Sequence, residues 1–135
     1  MEIITLEKDI PVFYVEADSF PEGILPAHQK LHSLVPFSTQ RKYFGISRPE
    51  NGIIKYKAAA EEVKHGEAKE YHCPELTLKK GRYVTEIIHN YMKDIGLIEK
   101  AFQRLLTHAE LDPEGYCVEW YINSMDVRCM ILLKN

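Results

Sequence analysis

Glu119 stands alone in an apolar run of Tyr116, Cys117, Val118, Trp120, Tyr121 and Ile122. Taking an unpaired carboxylate out of water is costly, so the chain must solvate it, pair it or keep it for a ligand. An ionised Glu among aromatic side chains suits a delocalised organic cation. Charge pairing and cation–π contact each contribute on the order of 0.5–2 kcal/mol while apolar surface is buried. Desolvation would also raise the carboxyl pKa and fit it for general acid or base work.

The other reactive side chains offer less. His28 and His32 are four apart in a helix-like stretch, but no third ligand completes a metal site with them. His65, His72 and Cys73 have irregular spacing, and Cys73, Cys117 and Cys129 are odd in number with no C-x-x-C pair. Neither a disulfide framework nor a zinc ribbon follows, and the cysteines read as small buried hydrophobes. Glycine-rich phosphate loops, G-x-S-x-G and H-E-x-x-H are missing, so the sequence implies neither cofactor nor metal.

The elements that position Glu119 come from a repeat. Residues 6–15 and 78–87 both read as extended, and each leads into a helix. In the first half, Ser19 and Glu22 have capping-box spacing, Ile24, Ala27, Leu31 and Leu34 form a helical stripe, and Pro26 fits the first turn. In the second, Asn90 can cap a helix bearing Ile95, Ile98, Phe102 and Leu105, ending near His108. Two strands follow each helix, at 42–48 and 53–60, then at 116–122 and 127–133. The order βαββ, twice, predicts one α+β domain over 1–135, with halves of 1–62 and 74–135 and a linker at 61–74. Joined through an antiparallel sheet with one helix per half, the halves would flank a cleft on a pseudo-twofold axis.

Hairpin pairing assigns faces. An even-length final turn would set Trp120 opposite Cys129 and Glu119 opposite Met130. Val118, Trp120 and Ile122 would then pack under the helices, leaving Cys117, Glu119, Tyr121, Arg128, Met130 and Leu132 on the far surface. That surface reads either as a ligand wall or as a half-exposed sheet carrying a Glu119–Arg128 ion pair. The same rule sets Gly45 opposite Tyr56. Overlaying the halves puts Gly45 at the position of Glu119, leaving room for a ring or a ligand.

The 135 residues carry a net charge of −3, which gives no reason to expect nucleic acid or an anionic membrane as partner. No apolar run approaches the ~20 residues of a membrane span, and no signal core follows Met1, so a cytoplasmic protein is expected.

Two βαββ halves, Gly81-Arg82-Tyr83, the aromatic Tyr91 and the late strand Glu119-Trp120-Tyr121 together resemble the GyrI-like small-molecule-binding domain. That domain is the effector module of bacterial multidrug and AraC-type transcription regulators, and it also occurs alone. The resemblance spans nearly the whole chain, with Asn90 where many members have glycine and no helix-turn-helix ahead of the domain. It implies that Glu119 meets lipophilic cations in a central cleft, with Tyr121, Tyr83 and Tyr91 as further contacts. Together with Tyr56, Met130 and Gly45 from the pairing argument, these form the expected ligand-binding set. The resemblance implies a sensor or sequestering role. It also leaves open a hydrolase of reactive electrophiles, using Glu119 with Tyr121 or Tyr83, and an inhibitor of another enzyme.

Overall fold

A computed structural model describes residues 1–135. The strands are β1 (Glu2–Leu6), β2 (Ile10–Glu16), β3 (Tyr43–Glu50), β4 (Ile53–Glu61), β5 (Glu75–Leu78), β6 (Gly81–Ile88), β7 (Cys117–Tyr121) and β8 (Val127–Leu132). The helices are α1 (Ile24–Leu34), the single turn α2 (Glu67–Glu70) and α3 (Gly96–Leu105). All eight strands join one curled antiparallel sheet, ordered β1-β6-β8-β7-β3-β4-β2-β5. The order is symmetric about the β3–β7 pair, and it joins two βαββ units, β2-α1-β3-β4 and β6-α3-β7-β8, in an α+β fold.

The extended segments at 6–15 and 78–87 are each broken in two. Polar residues from Glu7 to Asp9, and Lys79 with Lys80, turn the chain, and the leading strand crosses to the other half: β1 pairs with β6 and β5 with β2. The two crossings are tied where the Lys80 amide donates to Asp9 Oδ1 at 2.8 Å.

Helix α1 starts after Gly23 rather than from a Ser19–Glu22 capping box, and Pro26 falls in its first turn as expected. Ala27 and Leu31 are buried against Phe13, Ala58 and Ala60. In the second half Asn90 takes a left-handed conformation, φ 54°, and a 3₁₀ turn at Tyr91–Lys93 precedes α3. That detour leaves Ile95 outside the helix and 62 % exposed, while Ala101 and Leu105, with Ile98 and Phe102, pack on Ile88, Val127 and Cys129.

Both hairpins differ in register from expectation. Glu50 pairs with Ile53 around Asn51 and Gly52, at φ 54° and 80°, a two-residue turn. Gly45 therefore opposes Ala58, and Ser47 opposes Tyr56. A shift of two keeps every side chain on its expected face. The β7–β8 loop has five residues, 122–126, closed by Asn123 Oδ1 accepting from the Met125 and Asp126 amides at 2.7 and 2.8 Å. Tyr121 consequently pairs with Val127, Glu119 with Cys129 and Trp120 with Arg128. This odd shift turns the strand over relative to β8. Cys117, Glu119 and Tyr121 lie on the helix-bearing face, and Val118, Trp120, Met130 and Leu132 line the other.

The helix-free face holds a core of Val12, Phe44, Ile46, Ala59, Tyr83, Val118 and Met130, with Trp120 beside Phe44 at 6.2 Å between ring centroids. The segment joining the halves is pinned as well. Arg41 makes paired hydrogen bonds to Glu67 at 3.0 and 2.9 Å, and Glu67 Oε1 also accepts from the Val63 and Lys64 amides.

Candidate functional site

Helix α1 packs on β2 and β4, and α3 on β6 and β8, so the central strands β3 and β7 form the floor of a furrow between them. Gly45 and Glu119 are direct partners across that floor. A Cβ on Gly45 would fall on the Tyr56 hydroxyl, 2.8 Å from Tyr56 Cζ and 2.6 Å from Glu119 Oε1. The glycine is therefore a spatial requirement of the site: it opens the gap through which Tyr56, reaching over from β4, meets the carboxylate.

Two phenols bond the same carboxylate oxygen. Tyr121 donates to Glu119 Oε1 at 2.5 Å and Tyr56 donates to it at 3.0 Å, the two hydroxyls lying 3.3 Å apart. His28 Nε2 is 2.8 Å from the Tyr56 oxygen. Since Tyr56 spends its proton on Glu119, His28 must donate from Nε2, which fixes the tautomer. Glu119 is half-buried and joins none of the molecule's ion pairs. Arg41 Nε is the only buried side-chain polar atom without a partner, and both phenols go to Oε1, so Oε2 is open to the furrow.

Further aromatic rings pack around the two phenols that hold the carboxylate. Phe20 lies 6.1 Å from Tyr56, His28 is edge-on to Tyr56 and Tyr121 at 5.7 and 5.4 Å, and Tyr91 is 5.7 Å from Tyr121, all between centroids. The left-handed Asn90 delivers Tyr91 to the furrow, where its amide bonds the Met125 carbonyl.

Burial raises the Glu119 pKa above its usual value, and the Tyr121 and Tyr56 hydrogen bonds oppose it in part. Burial, then the adjacent carboxylate, raises the pKa of Tyr56, Tyr121 and Tyr91, which keeps all three phenols protonated as donors. Burial pushes His28 down to about 4, so it is neutral at pH 7. The site holds one carboxyl group and uncharged partners: it can accept a cation, or move a proton along His28, Tyr56 and Glu119.

Of the residues singled out from sequence, the furrow brings together Glu119, Tyr121, Tyr56, Tyr91 and Gly45. Tyr83 and Met130 lie on the opposite face of the sheet. Tyr83 donates to the Lys79 carbonyl at 2.6 Å and lines a separate cavity of about 50 Å³. The Glu119–Arg128 pair does not form, because Arg128 points to the other face and bonds Thr85 and Glu2 at 2.9 and 3.2 Å. His28 and Phe20 were missed. The signal for His28 was its place on an α1 face running toward the sheet centre. Phe20, in the loop ahead of α1, carried none. No group of three His, Cys, Asp or Glu side chains is arranged to hold a metal ion. No helix is long and apolar enough to cross a membrane.

No protein-family model and no curated protein matches the chain. Solved structures do. An integron cassette protein from the mobile metagenome of Vibrio cholerae superposes with a TM-score of 0.70 at 13% identity, over 98% of this chain and 95% of that one. SAV2435, solved bound to tetraphenylphosphonium, gives 0.68 at 11% identity over 99% and 93%. The fold, a curled antiparallel sheet of duplicated βαββ halves, is consistent with a GyrI-type topology. A hydrolase from Listeria innocua shares it more loosely, with a TM-score of 0.53 at 6% identity over 98% and 90%. At these identities the likeness is one of fold, and the chemistry rests on the residues of this furrow.

Proposed function

We propose that the protein binds small lipophilic cations in the furrow, with Glu119 as the charge partner, and serves as a sensor or sequestering module. The observation that carries this reading is the divided use of one carboxylate: Oε1 is held by two phenols while Oε2 is accessible and without a partner, beside a cluster of Phe20, His28, Tyr56, Tyr91 and Tyr121 rings. Such a carboxylate lacks a counter-ion in the free protein and gains one from the ligand. The rings supply cation–π attraction and apolar contact, with few directional demands, so several delocalised cations would be accepted. A protein of the same fold solved with tetraphenylphosphonium supports this choice of ligand class. Titration calorimetry with tetraphenylphosphonium tests it. Wild type should bind and Glu119→Gln should bind at least tenfold more weakly, the equivalent of about 1.4 kcal/mol. Equal affinities would sink the assignment.

A second reading has an observation of its own. The chain His28–Tyr56–Glu119 joins a carboxyl of raised pKa to a protonated phenol and a neutral imidazole, the parts needed to protonate a leaving oxygen or to activate water. Hydrolysis of a strained electrophile would use Glu119 as acid or base and Tyr121 as hydrogen-bond donor. Product release from an epoxide or cyclopropane substrate, lost in Glu119→Gln, would favour it over simple capture. Stoichiometric binding without product would exclude it.

A further inference from the structure

The furrow does not end at the aromatic ring around Glu119. On β3, Tyr43 lies two residues from Gly45 on the same face, one strand repeat or about 7 Å along. Continuing the β3–β7 register one step past Phe44 and Trp120 sets Tyr43 opposite Tyr121. On α1, His32 is one turn beyond His28, on the same side of the helix. These two residues meet: the His32 and Tyr43 ring centroids are 5.0 Å apart. The chain leaving α1 then brings Phe37 over Tyr43, stacked at 5.4 Å with only 10° between planes, and within 6.2 Å of His32.

Tyr43 is held in place, since its hydroxyl accepts from the Ser38 amide at 3.0 Å and its ring is 7 % exposed. Phe37 is 70 % exposed, a large apolar ring spread on a fixed platform with its outer surface in water. A phenylalanine so placed forgoes most of the burial that normally rewards it. His32 is neutral at pH 7 because burial lowers its pKa, and the Arg41 charge near Tyr43 is paired with Glu67.

We infer that His32, Phe37 and Tyr43 form a second station of the same furrow, one that takes a planar aromatic arm of an elongated ligand whose charged end sits at Glu119. This rests on the cation reading and narrows it, from lipophilic cations in general to those carrying an extended aryl group on one side. Compact ligands would use the Glu119 end alone.

Two probes separate the parts: benzyltrimethylammonium, which fills only the charged end, and 4-biphenylmethyl-trimethylammonium, whose outer ring extends one ring further. Wild type should bind the longer cation more tightly. Phe37→Ala, at an exposed position, should weaken the longer cation about three- to tenfold and leave the shorter unchanged, the loss of one aromatic pair. Glu119→Gln should weaken both. In Phe37→Trp, the longer cation should shift the new indole's emission and the shorter should not. If Phe37→Ala affects both cations alike, or neither, the second station is overturned while the Glu119 reading stands. If wild type binds neither cation, the cation reading itself falls, and this one with it.

Discussion

Gly45 and Glu119 face each other across the central strands, and the side chain missing from one is what lets Tyr56 reach the carboxylate of the other. The pair couples packing to electrostatics at a single point of the sheet. Each of the following outcomes depends on that point or on the elements that hold it.

Gly45→Ala should damage the site more than the fold. The added methyl meets the Tyr56 hydroxyl and Glu119 Oε1, and overpacking of this kind costs about 1–3 kcal/mol. Urea denaturation should register that loss. Tetraphenylphosphonium affinity should fall as well, because Tyr56 is displaced from Oε1. Unchanged stability would mean that Tyr56 has another place to go.

Glu119→Gln should leave stability equal or higher at neutral pH while it lowers cation affinity. The folded carboxyl titrates above its usual 4.5. An acid with a raised folded pKa contributes stability that is complete below the unfolded value and is lost as pH rises through the folded one. The advantage of Gln should therefore be greatest at neutral pH and shrink toward pH 4.5. Thermal melts of both proteins from pH 4 to 8 would test this, and a constant difference would contradict it.

Cation binding by the wild type should weaken on acidification, beginning above pH 4.5 as Glu119 takes up its proton. His28 adds to the effect at lower pH, with a folded pKa near 4 against an ordinary 6.5. A base with a lowered folded pKa costs stability as pH falls from its unfolded to its folded value, here from 6.5 to about 4. Nitrogen-15 spectra of the imidazole should give a midpoint near 4 and an Nε2-protonated neutral form at pH 7. A midpoint near 6.5 would mean that the ring is hydrated.

Arg41→Met should destabilise the protein without touching the Glu119 end of the furrow. Removing one partner of a buried pair leaves the other charged and costs about 3–5 kcal/mol. Glu67 keeps its Val63 and Lys64 amides, so the lower end is expected. Arg41 and those amides hold Glu67 near 2, so wild-type stability from this group is complete above 4.5 and is lost as pH falls toward 2. Denaturant melts at pH 7 and pH 3 should show the mutational difference narrowing in acid.

Much of the fold was readable because duplication and hydrophobic period are properties of sequence alone. The βαββ order, the place of Pro26 and the central correspondence of Gly45 with Glu119 all came through. Register did not, since it is set by turns. Asn51-Gly52 reads as a hairpin turn, yet counting Pro49 and Glu50 into the loop moved Tyr56 by two places, harmlessly for its face. Ile122 looks like strand, but it is 41 % exposed and belongs to a five-residue loop closed by the Asn123 side chain. That single residue decided which side of the sheet Glu119, Met130 and Arg128 occupy. Phe20 and His28 reach the site through tertiary placement of α1, which no local pattern specifies. The exchange of β1 and β5 was hidden too, because a chain that crosses over and one that continues straight are both simply extended.

That exchange has a consequence for how the carboxylate came to stand alone. With each half lending its first strand to the other, the molecule has the layout of a strand-swapped homodimer whose subunits share one polypeptide. In a dimer of identical chains, any residue on the dyad meets its own copy: two glycines would leave a bare floor, and two glutamates would set like charges against each other. Joining the copies removes that constraint. One side of the seam could become glycine and the other glutamate, giving a single negative charge with space beside it, a combination that strict twofold symmetry forbids.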